Sequence, residues 1–161
     1  MKKGISLFTA CIVSSLLFLL GSCKTADTFE RNITIPSHEW DRAFRPEISF
    51  DITDTASLYN IYITLRHTHA YRYSNIWLNV QFQLPGDTLN SQRVNLLLAT
   101  NEKGWLGTGM DDIWELRQLI TPQPFRFNRR GKATFTLEQI MRDNPLPDIL
   151  NAGIRVEKVI R

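Results

Sequence analysis

The chain has 161 residues, 43% hydrophobic and 22% charged, which suits one domain with its own apolar core. Its 19 Lys and Arg against 16 Asp and Glu fall to 17 against 16 once Lys2 and Lys3 are set aside. That near-neutral balance excludes the one-sided basic surplus of a nucleic-acid binder. Both cysteines, Cys11 and Cys23, lie in the leader region, so the remainder has no thiol for a disulfide, a thiolate metal site or a nucleophile.

Met1-Lys2-Lys3 is followed by an uncharged stretch rich in Leu, Ile, Val and Phe, which closes in Leu20-Gly21-Ser22-Cys23. A positive start, an apolar segment and small residues before a cut site make a secretory signal. A cysteine directly after the cut is the acceptor of a diacylglyceryl group, so the stretch reads as a lipobox with Cys23 as the lipidation site. An uncleaved anchor is the alternative, since about 20 uncharged residues suffice to span a bilayer. Ser6, Thr9, Ser14 and Ser15 dilute its hydrophobicity, and an anchor needs no small-small-Cys ending. Cleavage before Cys23 removes residues 1–22 and leaves 139. Residues 23–30 read as the lipidated N-terminus and a polar linker, and residues 31–161 as the domain. Two or three acyl chains would hold it permanently, whereas a single chain binds only marginally.

The domain reads as strands. Glu47 to Ile52 alternates with period two, as does Tyr59 to Leu65, with Tyr59, Ile61, Ile63 and Leu65 on one face. Asn75 to Leu84 is the clearest strand, with Ile76, Leu78, Val80, Phe82 and Leu84 inward and Trp77 on its polar face. Pro85-Gly86-Asp87 turns the chain into Gln92 to Ala99. Asp111 to Ile120 reads as a short helix or an irregular strand, stopped by Pro122 and Pro124. Asn128-Arg129-Arg130-Gly131 reads as a hairpin turn between Phe125–Phe127 and Lys132–Leu137, and Leu137 to Arg142 as a turn or two of helix. Gly153 to Ile160 closes as a strand. The expected fold is all-β: a single antiparallel β-sandwich, Ig-like or jelly-roll-like, with one or two short helices and a barrel as the alternative.

No motif carries an enzyme's chemistry. His67 and His69 would share one face of a strand, as in some metal sites, but no third ligand is evident, and solvated histidines at a strand end are the plainer reading. Asp111 and Asp112, beside Gly107-Thr108-Gly109, would serve acid–base chemistry or Ca²⁺ binding, or would simply complement a helix start. Those glycines match no phosphate loop. No cofactor or metal is expected. Arg126, Arg129 and Arg130, with Lys132, would suit lipid phosphate or an acidic partner, or would simply be solvated. Trp77 and Trp105 would suit a protein contact or stacking on a sugar; packing beneath a loop is the commoner fate.

A series of segments runs from the lipobox and Phe29-Glu30 through Trp40, Tyr59–Tyr62, Leu65–Thr68, Tyr73-Ser74-Asn75-Ile76-Trp77-Leu78 and Gly104-Trp105-Leu106-Gly107-Thr108-Gly109. It continues through Asp112-Ile113, Gln139–Arg142 and Gly153–Lys158. In this order the segments resemble the GldH family of gliding motility lipoproteins. The resemblance implies a non-catalytic envelope lipoprotein, held on a membrane (expected to be the outer one) by lipid. Its partners would be proteins of the gliding and type IX secretion machinery. Only Cys23 carries over as a functional residue. A surface lipoprotein module that binds a glycan is the alternative.

Overall fold

The computed structural model describes residues 28–159; the leader, Cys23 and the start of the linker lie outside them. Thirteen strands and one 3₁₀ turn at Pro36–His38 follow in order. The strands are β1 (Thr28–Thr34), β2 (Glu39–Trp40), β3 (Glu47–Ile52), β4 (Tyr59–Thr68), β5 (Asn75–Gln83), β6 (Asn90–Leu97) and β7 (Ala99–Thr100). They continue with β8 (Gly104–Trp105), β9 (Thr108–Met110), β10 (Ile113–Leu119), β11 (Gly131–Gln139), β12 (Leu146–Pro147) and β13 (Ile149–Lys158). A five-stranded sheet, β1-β13-β4-β10-β9, faces a four-stranded sheet, β3-β11-β5-β6, with two minor two-stranded pairs alongside. Every pairing in both sheets is antiparallel. This is a β-sandwich.

Period two drives it. Ile61, Ile63 and Leu65 of β4, Ile154 and Val156 of β13, Ile76, Leu78 and Val80 of β5, and Ala133, Phe135 and Leu137 of β11 are all buried between the sheets. The last long strand, β13, lies between β1 and β4, so the two ends of the domain are zipped together: Thr28 pairs with Glu157, and Tyr59 with Lys158. β1 begins inside the stretch read as linker.

One open choice is decided and two local expectations change. The segment Asp111 to Ile120 is not helical: Ile113–Leu119 pairs with β4 over its whole length, Leu116 opposite Leu65. Leu137 to Arg142 likewise supplies the end of β11, then a bend. In both, sheet hydrogen bonds and a buried cross-strand neighbour outweigh a weak local helix signal. Third, Phe125–Phe127 is no hairpin partner of Lys132–Leu137. Phe125 bridges to Tyr59 instead, which lets β11 pair with β3 and β5.

The sandwich has two ends. At the near end lie Thr28, Ile52, Tyr59, Phe127, Gly131 and Lys158; at the far end lie Trp40, Thr68, Trp105, Ile113, Gln139 and Ile149.

Candidate functional surfaces

At the far end, aromatic and imidazole rings interlock. Trp105, half-buried, lies against His67 at 4.6 Å between ring centroids and against Tyr71 at 6.4 Å. Its indole N–H donates to His69 Nδ1 at 3.1 Å. His67 is fully buried, and its Nδ1–H donates to the Thr68 carbonyl at 2.9 Å, which fixes the tautomer. Burial lowers its pKa, against the opposing pull of the Thr68 carbonyl and of Asp148. The expectation of solvated histidines therefore fails for His67, whose ring is core, while His69 is exposed. Among the described residues no cluster of three or more His, Cys, Asp or Glu is placed to hold a metal ion.

The glycine-rich segment after Lys103 is shaped by this packing. Gly107 has φ +92°, and a Cβ there would stand 2.1 Å from the Glu115 carbonyl oxygen. Gly109 lies opposite Trp114, whose ring occupies the space a side chain would need. Asp111 and Asp112 form the exposed tip joining β9 to β10, not a helix start, and the Asp112 carbonyl accepts from the His69 N–H at 2.7 Å.

Trp77 stands on the outward face of β5, 42% exposed. With Tyr73, Ile140, Met141 and Arg142 it lines a shallow groove. The rim is fixed by charge: the Tyr73 hydroxyl donates to Asp143 at 2.6 Å, and Arg72 pairs with the same carboxylate at 3.0 Å. The hydrogen bond to Asp143 holds the Tyr73 hydroxyl above its usual pKa. Trp105 takes no part in that groove; its indole edge is spent on His69.

Sequence reasoning missed Gln139. It is buried, and its amide nitrogen reaches the carbonyls of Trp40 at 3.2 Å and Asp143 at 3.1 Å. Its amide oxygen accepts from the Met141 N–H at 2.9 Å. One side chain thus pins the bend that carries the groove. The signal was present: Gln139 continues the inward register of Ala133, Phe135 and Leu137.

At the near end, Arg126, Arg129, Arg130 and Lys132 are all exposed around the loop after Phe127. Arg129 lies over Gly86 of the β5–β6 turn, and Gly131 sits against Pro85. The outer face of the five-stranded sheet treats its cations differently. There, Arg66, Glu115, Arg117, Glu30, Arg155 and Glu157 form an unbroken chain of ion pairs across four strands. Burial alone would raise the Glu30 carboxyl, but the Arg155 hydrogen bond and the Arg117 charge leave it below its usual range.

These surfaces define a class: a β-sandwich domain with an exposed aromatic groove and an exposed basic loop. Residues 27–156 match the GldH lipoprotein family. The chain is 27% identical over 160 residues to a "Gliding motility lipoprotein GldH homolog" of Christiangramia forsetii, covering 95% of this chain and 97% of that one. It is 23% identical over 147 residues to the "Gliding motility lipoprotein GldH" of Flavobacterium johnsoniae, covering 87% and 90%. Among solved structures, the infectious bursal disease virus VP2 subviral particle overlaps at a TM-score of 0.33 and 15% identity. That overlap spans 85% of this chain and 34% of the viral one, too slight a likeness to bear on function. The chain belongs to the GldH lipoprotein family.

Proposed function

We propose that this protein is a non-catalytic lipoprotein of the cell envelope, acylated at Cys23, that supports gliding and the allied type IX secretion machinery through protein contacts. The observation that carries this reading is the near end-to-end match to relatives named for gliding motility. The lipobox ending at Cys23 adds the attachment. Residues 1–22 are then removed, 23 onward forms the tether, and the sandwich stands at a membrane surface.

The contact surface we favour is the Trp77 groove. A tryptophan flanked by Tyr, Met and Arg is the composition found where binding energy concentrates. The bend that shapes the groove is held by Gln139 rather than left free.

The test is complementation of a deletion strain. Loss of gliding or of type IX secretion on deletion, restored by the native chain but not by Cys23→Ala, supports the reading. Crosslinked pull-down with native protein and Trp77→Ala then reads the groove. Components of that machinery recovered by the first and lost by the second support it. Normal motility and secretion in the deletion strain overturn it.

A further inference from the structure

The near end carries a basic loop that no ion pair among the described residues neutralises. Arg126, Arg129, Arg130 and Lys132 are exposed within seven residues of sequence, and among the described residues none of the four is in an ion pair. The carboxylates nearby are few or already engaged. Asp54 is held by Lys158 at 2.8 Å, and Glu157 by Arg155 at 3.3 Å. Asp51 lies opposite Lys132 in the strand register, and Asp87 sits in the turn beside Gly86. The balance at this end stays positive.

The loop is placed by aromatic packing. Phe127 is buried, with ring centroids 5.1 Å from Tyr59, 4.9 Å from Phe125 and 6.1 Å from Phe50. Phe50 in turn lies 4.8 Å from Phe29, the second residue of β1. A continuous set of rings therefore fixes the basic loop beside the point where the chain enters the domain.

That point is close to Cys23. Four residues lie between Cys23 and Thr28, and at full extension the five steps span only about 17 Å. If Cys23 carries the lipid, the bilayer surface lies within that distance of the near end. Guanidinium groups pair bidentately with phosphate oxygens, and such attraction acts only within roughly 8 Å at physiological salt. A tether this short lets the near end settle within that range of the headgroups and keeps it from drifting more than about two such lengths away.

The geometry points to a second membrane contact: Arg126, Arg129 and Arg130, with Lys132, bind anionic lipid headgroups of the bilayer that holds Cys23, and so stand the sandwich upright with its far end, Met110 and Trp105, directed away. The inference rests on acylation at Cys23, and the test separates the two.

The experiment uses the full mature chain, acylated at Cys23, with Asn128→Cys as the one free thiol for a fluorophore. Met110→Cys is the far-end control. Flotation with vesicles reads the anchor alone. Quenching by headgroup-nitroxide lipid reads the loop, in phosphatidylcholine vesicles with and without phosphatidylglycerol. The expected result is flotation in both vesicle types, with quenching at position 128 only where anionic lipid is present. That quenching weakens with salt and is absent at position 110. Each Arg→Gln change lowers the contact population by roughly fivefold and each Arg→Glu change by more, with the far-ultraviolet circular dichroism unchanged. Equal quenching at 128 and 110, or quenching at 128 indifferent to phosphatidylglycerol and to Arg126→Glu/Arg129→Glu/Arg130→Glu, overturns the contact while flotation still upholds the anchor. Failure to float overturns the anchor and the contact with it. Competition by free phosphate at matched ionic strength would assign the loop to a soluble anion instead.

Discussion

The two ends of the sandwich spend their polar groups in opposite ways. At the far end Gln139, His67 and Trp40 turn hydrogen-bonding groups inward: the Trp40 indole N–H donates to the Phe44 carbonyl at 2.9 Å, and Gln139 ties together backbone from residues 40 to 143. At the near end the interior is made of phenylalanine rings, and the cations are left outside. The far end is a rigid platform for an exposed tryptophan. The near end is an apolar plug ringed by unspent charge. Buried polar groups must be satisfied internally because water cannot reach them. Exposed guanidinium groups need no partner, so an unpaired set costs the fold little and stays available to a ligand.

The largest expected loss comes from the near-end plug. Phe127→Ala should lower unfolding free energy by about 3 to 4 kcal/mol, measured by urea denaturation. A loss under half of that would mean the rings do not form one unit. Next, at the far end, Gln139→Leu removes the partner of one buried carbonyl, one part-buried carbonyl and one N–H and should cost about 2 to 3 kcal/mol. It should also weaken any partner binding at Trp77, because the 141–144 bend loses its tie. Trp105→Ala should cost about 2 kcal/mol, less than a fully buried tryptophan, and expose His67 to water.

That last contact has a pH signature. His67 has its pKa lowered from 6.5 by burial, so the unfolded chain takes up the proton more readily than the folded one. The stability due to neutral His67 is whole above about pH 6.5 and declines as pH falls toward the lowered value. Urea curves for the native chain and His67→Phe, compared from neutral to mildly acidic pH, should diverge in slope in that direction; parallel curves would refute it. The smallest effect on stability is expected from Arg126→Glu/Arg129→Glu/Arg130→Glu, within about 0.5 kcal/mol. The near end would then be functionally altered while thermodynamically intact, the reverse of Gln139→Leu.

Much of the architecture was legible from alternation. Glu47–Ile52 and the inward sets Ile61, Ile63, Leu65 and Ile76, Leu78, Val80 follow directly from period two, because a half-buried strand must place every second side chain in the core. The proposal for Cys23 rests on a linear segment, the lipobox, which lies outside the described residues. Alternation also carried the Gln139 position, but a polar residue at an inward site looks like the end of a strand until its partners are known. Asp111 to Ile120 stayed open between helix and strand because acidic residues before apolar ones suit a helix start and a hairpin tip alike. Only the pairing with β4 decides between them.

Composition and local pattern determined an all-β domain, and they alone carry the proposed leader and lipidation site, because each is read from neighbours in sequence. Tertiary structure alone decided that His67 is core, that Phe125 bridges to Tyr59 rather than closing a hairpin, and that the basic loop shares an end with the start of β1. Those facts depend on contacts between residues far apart in the chain, such as Phe29 with Phe50 and Lys158 with Asp54. No local pattern encodes which of many compatible strands will meet.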